Sequence, residues 1–173
     1  EGLANHRGSS FGGIGLSNQP TTEQYENLIA EELSAIISKS SKEIWLEAES
    51  SNLGKCRIPH ALFNQMKNAP LLEISRTHKE RINQLVKVYG NQDKQILEEA
   101  TLRIKKRLGP QRTSDALKAI SEKKWDIACR AMLDYYDRCY EHELDKITER
   151  SIVDISGLSA DQAAQKLIKN GIF

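Results

Sequence analysis

Pro70-Leu71-Leu72-Glu73-Ile74-Ser75-Arg76-Thr77-His78-Lys79-Glu80 contains the change of period on which the fold turns. Pro70 ends any helix before it. Leu71 to Ser75 then reads as a strand. Thr77 with Glu80 three residues later is a capping box, and it opens a helix through Leu85, Val86 and Tyr89. Gly90 stops that helix. Strand followed directly by helix is the unit of a parallel α/β sheet.

Two more strands are expected on either side. Glu43-Ile44-Trp45-Leu46-Glu47 reads as a short buried strand ending in acid, and Ser151 to Ile155 as a third. Before the first strand, Thr21-Thr22-Glu23-Gln24 offers a helix cap. Tyr25, Leu28, Ile29, Leu33, Ile36 and Ile37 follow at helical period, and residues 38–41 end the run. Pro59 suits the first turn of a short helix carrying Ala61, Leu62, Phe63 and Met66.

Residues 92–148 read as helical throughout. One helix runs from Ile96 to Leu108 and closes at Gly109-Pro110; a second carries Ala116, Leu117 and Ile120. A longer one starts near Ser121 and carries Trp125, Ala128, Met132, Leu133, Tyr136, Tyr140 and Leu144. Ser159 and Gln162 cap a last helix. The expected fold is helix-rich α/β, an incomplete P-loop NTPase-like parallel sheet with a helical insertion. Residues 1–90 and 151–173 form the α/β part and 91–150 the insertion.

The bulk numbers fit that class. With 173 residues, 39% hydrophobic and 28% charged, the chain can build one ordinary soluble core. No apolar run approaches the ~20 residues of a membrane span. The opening residues lack the basic region and apolar core of a signal peptide, and there is no initiator Met. Three cysteines at scattered spacings are no disulfide framework, so the chain reads as cytoplasmic. Cys56 with His60, and Cys139 with His142, are isolated pairs and not a four-ligand zinc site. A net charge of +1 leaves nucleic acid to local clustering.

Three segments carry chemistry. Asn5-His6-Arg7-Gly8-Ser9-Ser10 lies in a glycine-rich stretch that can turn backbone N–H groups toward an anion, with Arg7 able to fork onto phosphate oxygens. A solvated loop with one surface arginine fits the same residues. Trp45 to Ser50 resembles a Walker-B-type edge, where Glu49 is a candidate Mg²⁺ carboxylate; a strand end with solvent-facing acids reads equally well. The Walker A pattern itself is absent. Arg81, early in a helix after a strand, sits where phosphotransfer folds place lid arginines, or is a surface residue. Arg103, Lys105, Lys106, Arg107 and Arg112 are the densest basic patch, suited to an RNA backbone or to a plain solvated face. Tyr135, Tyr136 and Tyr140 could stack bases or fill a core.

Together these segments resemble one family, the tRNA 2-selenouridine synthases. Glu1-Gly2-Leu3-Ala4-Asn5-His6-Arg7-Gly8-Ser9-Ser10-Phe11-Gly12 is similar to a stretch that follows that family's Walker A loop and helix. Gln19-Pro20, Tyr25-Glu26-Asn27, Leu46-Glu47-Ala48-Glu49-Ser50, Ile58-Pro59, Leu62-Phe63, Ala69-Pro70-Leu71, Arg81, Lys106 to Gly109 and Leu133 to Asp137 continue the likeness in order. Ala48 departs from it, standing where the family motif has Asp.

The resemblance implies an enzyme joining a rhodanese-like domain to a P-loop domain. It would convert wobble 2-thiouridine to 2-selenouridine in tRNAs for lysine, glutamate and glutamine. Geranyl diphosphate would alkylate the sulfur, and selenophosphate would then supply selenium. Phosphate binding falls to Asn5, His6, Arg7, Gly8, Ser9, Ser10, Glu49, Ser50 and Arg81. Binding of tRNA falls to Arg103, Lys105, Lys106, Arg107 and Arg112. The chain is expected to be a C-terminal fragment, inactive alone, with the catalytic cysteine in the rhodanese partner domain. The alternatives are a P-loop nucleotide kinase-like phosphotransferase and a helical RNA-binding module.

Overall fold

The strand over 71–75 forms where Pro70 and Thr77 bracket it. A computed structural model describes residues 1–38, 43–144, 147 and 149–169. In chain order it gives α1 (Thr22–Ser38), β1 (Asn52–Leu53), β2 (Cys56–Arg57), α2 (His60–Asn68), β3 (Leu71–Ser75) and α3 (His78–Tyr89). Then come α4 (Lys94–Arg103), α5 (Lys105–Leu108), α6 (Pro110–Ser121), α7 (Trp125–Leu144), β4 (Arg150–Asp154) and α8 (Ala160–Lys169).

β3 pairs in parallel with β4, Leu71 opposite Arg150 through Ser75 opposite Asp154. β1 and β2 form a two-residue antiparallel hairpin about Gly54. The molecule is therefore helix-rich α/β with a small parallel sheet. No helix among the described residues is long and apolar enough to cross a membrane.

One expected strand does not form. Residues 43–50 contain no regular element, and Trp45 and Leu46 are 46% and 48% exposed. A strand gains from its ladder only where a neighbour runs beside it, and this segment does not join β3–β4. The expected helix over 96–108 is also broken. Ile104 leaves helical geometry at φ −99° and ψ 5°, dividing α4 from α5. The long helix starts at Trp125, after a turn in which Lys123 takes φ +56°. The expected end of α1 at 38–41 falls mostly outside the described residues.

The core lies among the helices. Leu97, Ala100, Ile104, Leu108, Ala116, Ala119, Ile120, Ala128, Met132 and Tyr135 form one buried cluster with Phe11 and Ile14 from the opening loop. Ala4, Tyr25, Leu53, Cys56 and Ile58 form a second. The loop over residues 1–19 thus enters both.

The junction of β3, α3 and the β4–α8 turn is held by one carboxylate. Thr77 Oγ1 accepts from the Glu80 N–H at 3.3 Å, and Glu80 accepts from the Thr77 N–H at 3.2 Å, completing the box. Glu80 also accepts from the Gly157 N–H at 2.7 Å. Arg76 reaches Glu80 at 3.4 Å and the Leu158 carbonyl at 2.8 Å.

Thr77→Ala should lower unfolding free energy by about 1 kcal/mol, read from urea melts. The Thr77 hydroxyl first, and the Gly157 N–H second, hold the Glu80 carboxyl below its ordinary 4.5. The ionised form is the one favoured by folding, so its stabilisation is complete above 4.5 and is lost as pH falls through the lowered value. Glu80→Gln should flatten the acid limb of a stability–pH curve while leaving the limb above pH 7 parallel to wild type.

Candidate functional site

The opening loop is a string of tight backbone turns. Asn5, Gly8 and Gly15 take positive φ of 48°, 67° and 75°. Arg7 N–H donates to the Gly12 carbonyl at 3.1 Å and Ser9 N–H to the Arg7 carbonyl at 2.8 Å. Gly12 N–H returns to the Ser9 carbonyl at 2.8 Å. This folding divides the six residues read from the sequence as one anion nest.

Asn5 faces inward along the loop, its Nδ2 donating to the Ser17 carbonyl at 2.7 Å and the Ser17 hydroxyl at 2.8 Å. The His6 ring fills space beside Gly12 and Gly54, where a Cβ would lie 2.7 Å from it at either position. Burial holds its imidazole below the ordinary range, against the upward pull of the Glu49 charge. Its Nδ1 is buried without a hydrogen-bond partner among the described residues. The Ser10 carbonyl accepts from Arg103 Nη2 at 3.1 Å.

Glu49 stands against Gly8. A Cβ there would lie 2.5 Å from each Glu49 carboxylate oxygen, so the acid meets the turn without a strand to carry it. Glu1 shares a hydrogen bond with Glu49, and its own carboxyl is pushed up to about 7, chiefly by burial and then by that bond. Ser50 is turned away, its hydroxyl donating to the Asn52 carbonyl at 2.8 Å. Among the described residues no group of three His, Cys, Asp or Glu side chains is placed to hold a metal ion.

Arg7 and Ser9 instead face a cavity of about 280 Å³. Arg7 Nη1 donates to the Ile14 carbonyl at 3.0 Å, and its guanidinium lies 5.9 Å from the Tyr89 ring centroid. That carbonyl takes one of five guanidinium donors. Arg81, Leu85 and Tyr89 enter from one stripe of α3, and Leu97 and Thr101 from α4. Trp125, Ala128, Cys129, Met132, Leu133, Tyr136 and Tyr140 enter from one face of α7. The wall is overwhelmingly carbon, with its charges confined to Arg7 and Arg81.

Arg81 is committed to α7. Its Nη1 donates to Asp137 at 3.0 Å and its Nη2 makes a second, shorter bond to the same carboxylate. Cys129 is a wall residue, not a nucleophile: burial first, and Asp126 second, push its thiol up to about 11, so it stays protonated at neutral pH. Tyr135 is buried in the core and Tyr136 packs edge-on against it at 5.1 Å, whereas Tyr140 is 57% exposed at the cavity mouth.

The basic residues sit apart from this wall. Lys105, Lys106, Arg107 and Arg112 are exposed on α5 and α6, and Arg103 joins them while bonding Ser10. Sequence reasoning missed the cavity itself. Its signal was present as the apolar stripe of α7, but a stripe at helical spacing reads as core whether or not the core has a hollow.

Comparison with known proteins fits this arrangement to one family. The chain is 31% identical to a tRNA 2-selenouridine synthase of Hydrogenovibrio crunogenus, over 91% of the chain and 49% of that protein. It is 30% identical to one from Marinobacter nauticus, over 83% of the chain and 47% of that protein. A Sulfurovum relative of the same name is 29% identical, over 87% of the chain and 49% of its own length. The chain thus spans about half the length of the curated relatives it matches. No solved structure matches it. The family description "tRNA 2-selenouridine synthase AAA domain" matches residues 1–168, and the chain belongs to that family.

Proposed function

We propose that this domain holds geranyl diphosphate for S-alkylation of 2-thiouridine in tRNA, the step that precedes exchange of sulfur for selenium from selenophosphate. One observation carries the reading: an apolar cavity of about 280 Å³ whose lining holds two cations, Arg7 and Arg81. An isoprenoid diphosphate has the matching division, ten apolar carbons and a doubly phosphorylated head. Burying those carbons at about 0.8 kcal/mol each offers on the order of 8 kcal/mol before the costs of ordering the chain.

The chemistry asks little more of the protein. The thiouridine sulfur bonds to the first carbon of the geranyl group, the bond from that carbon to the diphosphate oxygen breaks, and the uridine loses its N3 proton. Negative charge grows on the departing oxygens. Arg7 and the Ser9 hydroxyl line the cavity and are the groups that would meet that charge, next to a low-dielectric wall that strengthens their pull. Arg81 serves first as the strut between α3 and α7 through Asp137. A Mg²⁺ held by one carboxylate, phosphate and water would take Glu49. A nucleotide kinase-like reading gains less support, since a purine ring finds few polar partners on this wall.

The substrate RNA is assigned to the exposed cations of α5 and α6. Arg103 fastens the end of α4 to Ser10, so the α5 cations follow directly from the loop that bears Arg7. The wobble position of lysine, glutamate and glutamine tRNAs, a rhodanese-like partner domain and a cytoplasmic setting complete the proposal by family likeness.

Two measurements test it. Arg7→Ala in the full-length protein should slow geranylation of thiolated tRNA by about 10²–10³-fold; an unchanged rate removes Arg7 from the chemistry. Replacing Lys105, Lys106 and Arg107 together by Ala should reduce the slope of log affinity for tRNA against log salt by about 2–3. An unchanged slope would place the RNA elsewhere.

A further inference from the structure

α1 is anchored through its first half. The Thr22 hydroxyl donates to the Lys55 carbonyl at 3.3 Å. Tyr25, 5% exposed, enters the smaller core cluster, and Ile29 packs against that cluster. Among the described elements the helix rests on β2. From Ile29 to Ser38 the rise of 1.5 Å per residue carries it about 13 Å further.

Its apolar stripe does not stop with the anchor. Leu33, Ile36 and Ile37 follow Ile29 at four, seven and eight residues and so continue one face. Leu33 and Ile36 are half-buried, while Ile37 is 63% exposed, more than any other large apolar side chain among the described residues. Apolar side chains scattered over a surface are ordinary. A stripe that keeps helical period beyond the core it serves is instead the face by which a helix docks.

Charge selects the occupant. α1 carries Glu23, Glu26, Glu31 and Glu32 and, within its bounds, no lysine or arginine. Glu26 lies three residues before Ile29, and Glu32 four before Ile36, so two exposed carboxylates border the stripe. An RNA backbone is repelled by that rim. A second copy is no better match, because a two-fold pair centred on Leu33 brings each Glu32 toward its counterpart. The matching surface is an apolar patch rimmed by lysine or arginine. The relatives are about twice as long as the stretch this chain matches, so a full-length protein of their kind has a second body of similar size to supply it.

We propose that the outer half of α1, residues 29–37, is the docking face for the part of the full-length protein that lies outside these 173 residues, which meets it with an apolar patch rimmed by cations. The inference goes beyond the isoprenoid reading and stands whether or not the cavity holds a diphosphate.

The test places a benzophenone amino acid at position 37 of the full-length protein, irradiates it, and maps the products by mass spectrometry. Mixing heavy- and light-labelled copies beforehand separates contacts within one chain from contacts between chains. The expected product joins position 37 to a residue outside the 173 on the same chain. Glu26→Lys together with Glu32→Lys, both at exposed positions, should cut its yield by about tenfold, because two rim attractions become repulsions. Far-UV circular dichroism verifies that the variant is folded. Products only between copies would make the face a dimer contact, and products only with tRNA would make it an RNA surface; either overturns the proposal. So does a product confined to the 173 residues, or none. An unchanged yield in the doubly substituted protein removes the cationic rim and, with it, the occupant proposed.

Discussion

One side-chain amide fixes where the opening loop can go. Gln19 Nε2 donates to the Ala4 carbonyl at 2.9 Å and to the Leu53 carbonyl at 2.8 Å, while its Oε1 accepts from the Lys55 N–H at 2.8 Å. A loop and a two-residue hairpin leave backbone groups that no sheet or helix satisfies. Gln19 supplies them from the centre and so fixes the loop, the hairpin and the entry to α1 relative to each other. Gly54, with φ +60°, admits the amide where a Cβ would collide with its Oε1. Removing the amide would strand buried carbonyls as well as lose bonds, which is the costlier half of the change.

The consequence is that a segment without regular structure becomes a rigid part. Held at Ala4 by Gln19 and at Asn5 by Ser17, the loop carries Phe11 and Ile14 into the helical core. Phe11 meets Tyr89 edge to face at 6.0 Å, and the Arg7 guanidinium lies 5.9 Å from the centroid of the same ring. An arginine on a free loop would spend entropy to meet an anion. Here the bond to the Ile14 carbonyl and the Tyr89 ring have already ordered it, so more of its interaction energy is available to a ligand.

What the sequence made legible follows from how local each signal is. The capping boxes of α3 and α8, the cap of α1 by Thr21 and the stop at Gly90 are contacts within a few residues, and each forms as read. The strand β3 was legible because Pro70 and Thr77 fence it. The strand over 43–47 was misread because its apolar run says only that burial would suit it; whether a neighbour runs alongside is decided far away. The site divided in the same way. Glycines and one arginine marked the turn as a candidate anion site, but the sequence could not show that Asn5 would turn to Ser17, that His6 would serve as packing, or that Arg81 would be claimed by Asp137, 56 residues on. Those partners are set by tertiary approach.

The break at Ile104 links the two halves of the proposed chemistry. Had α4 run on to Leu108, Arg103 and Lys105 to Arg107 would sit around one continuous helix, spread over about 100° per residue. The interruption ends α4 at the residue that reaches Ser10, and it lets Lys105, Lys106 and Arg107 be presented on a separate exposed turn while Leu108 is buried beneath them. An RNA backbone held on that turn would lie beside the loop that orders Arg7. Under the proposed function, bringing a thiolated base to the head of an isoprenoid would need those two grips at a fixed spacing. Four residues of broken helix, pinned at Arg103 and at Leu108, are a stiff way to set it.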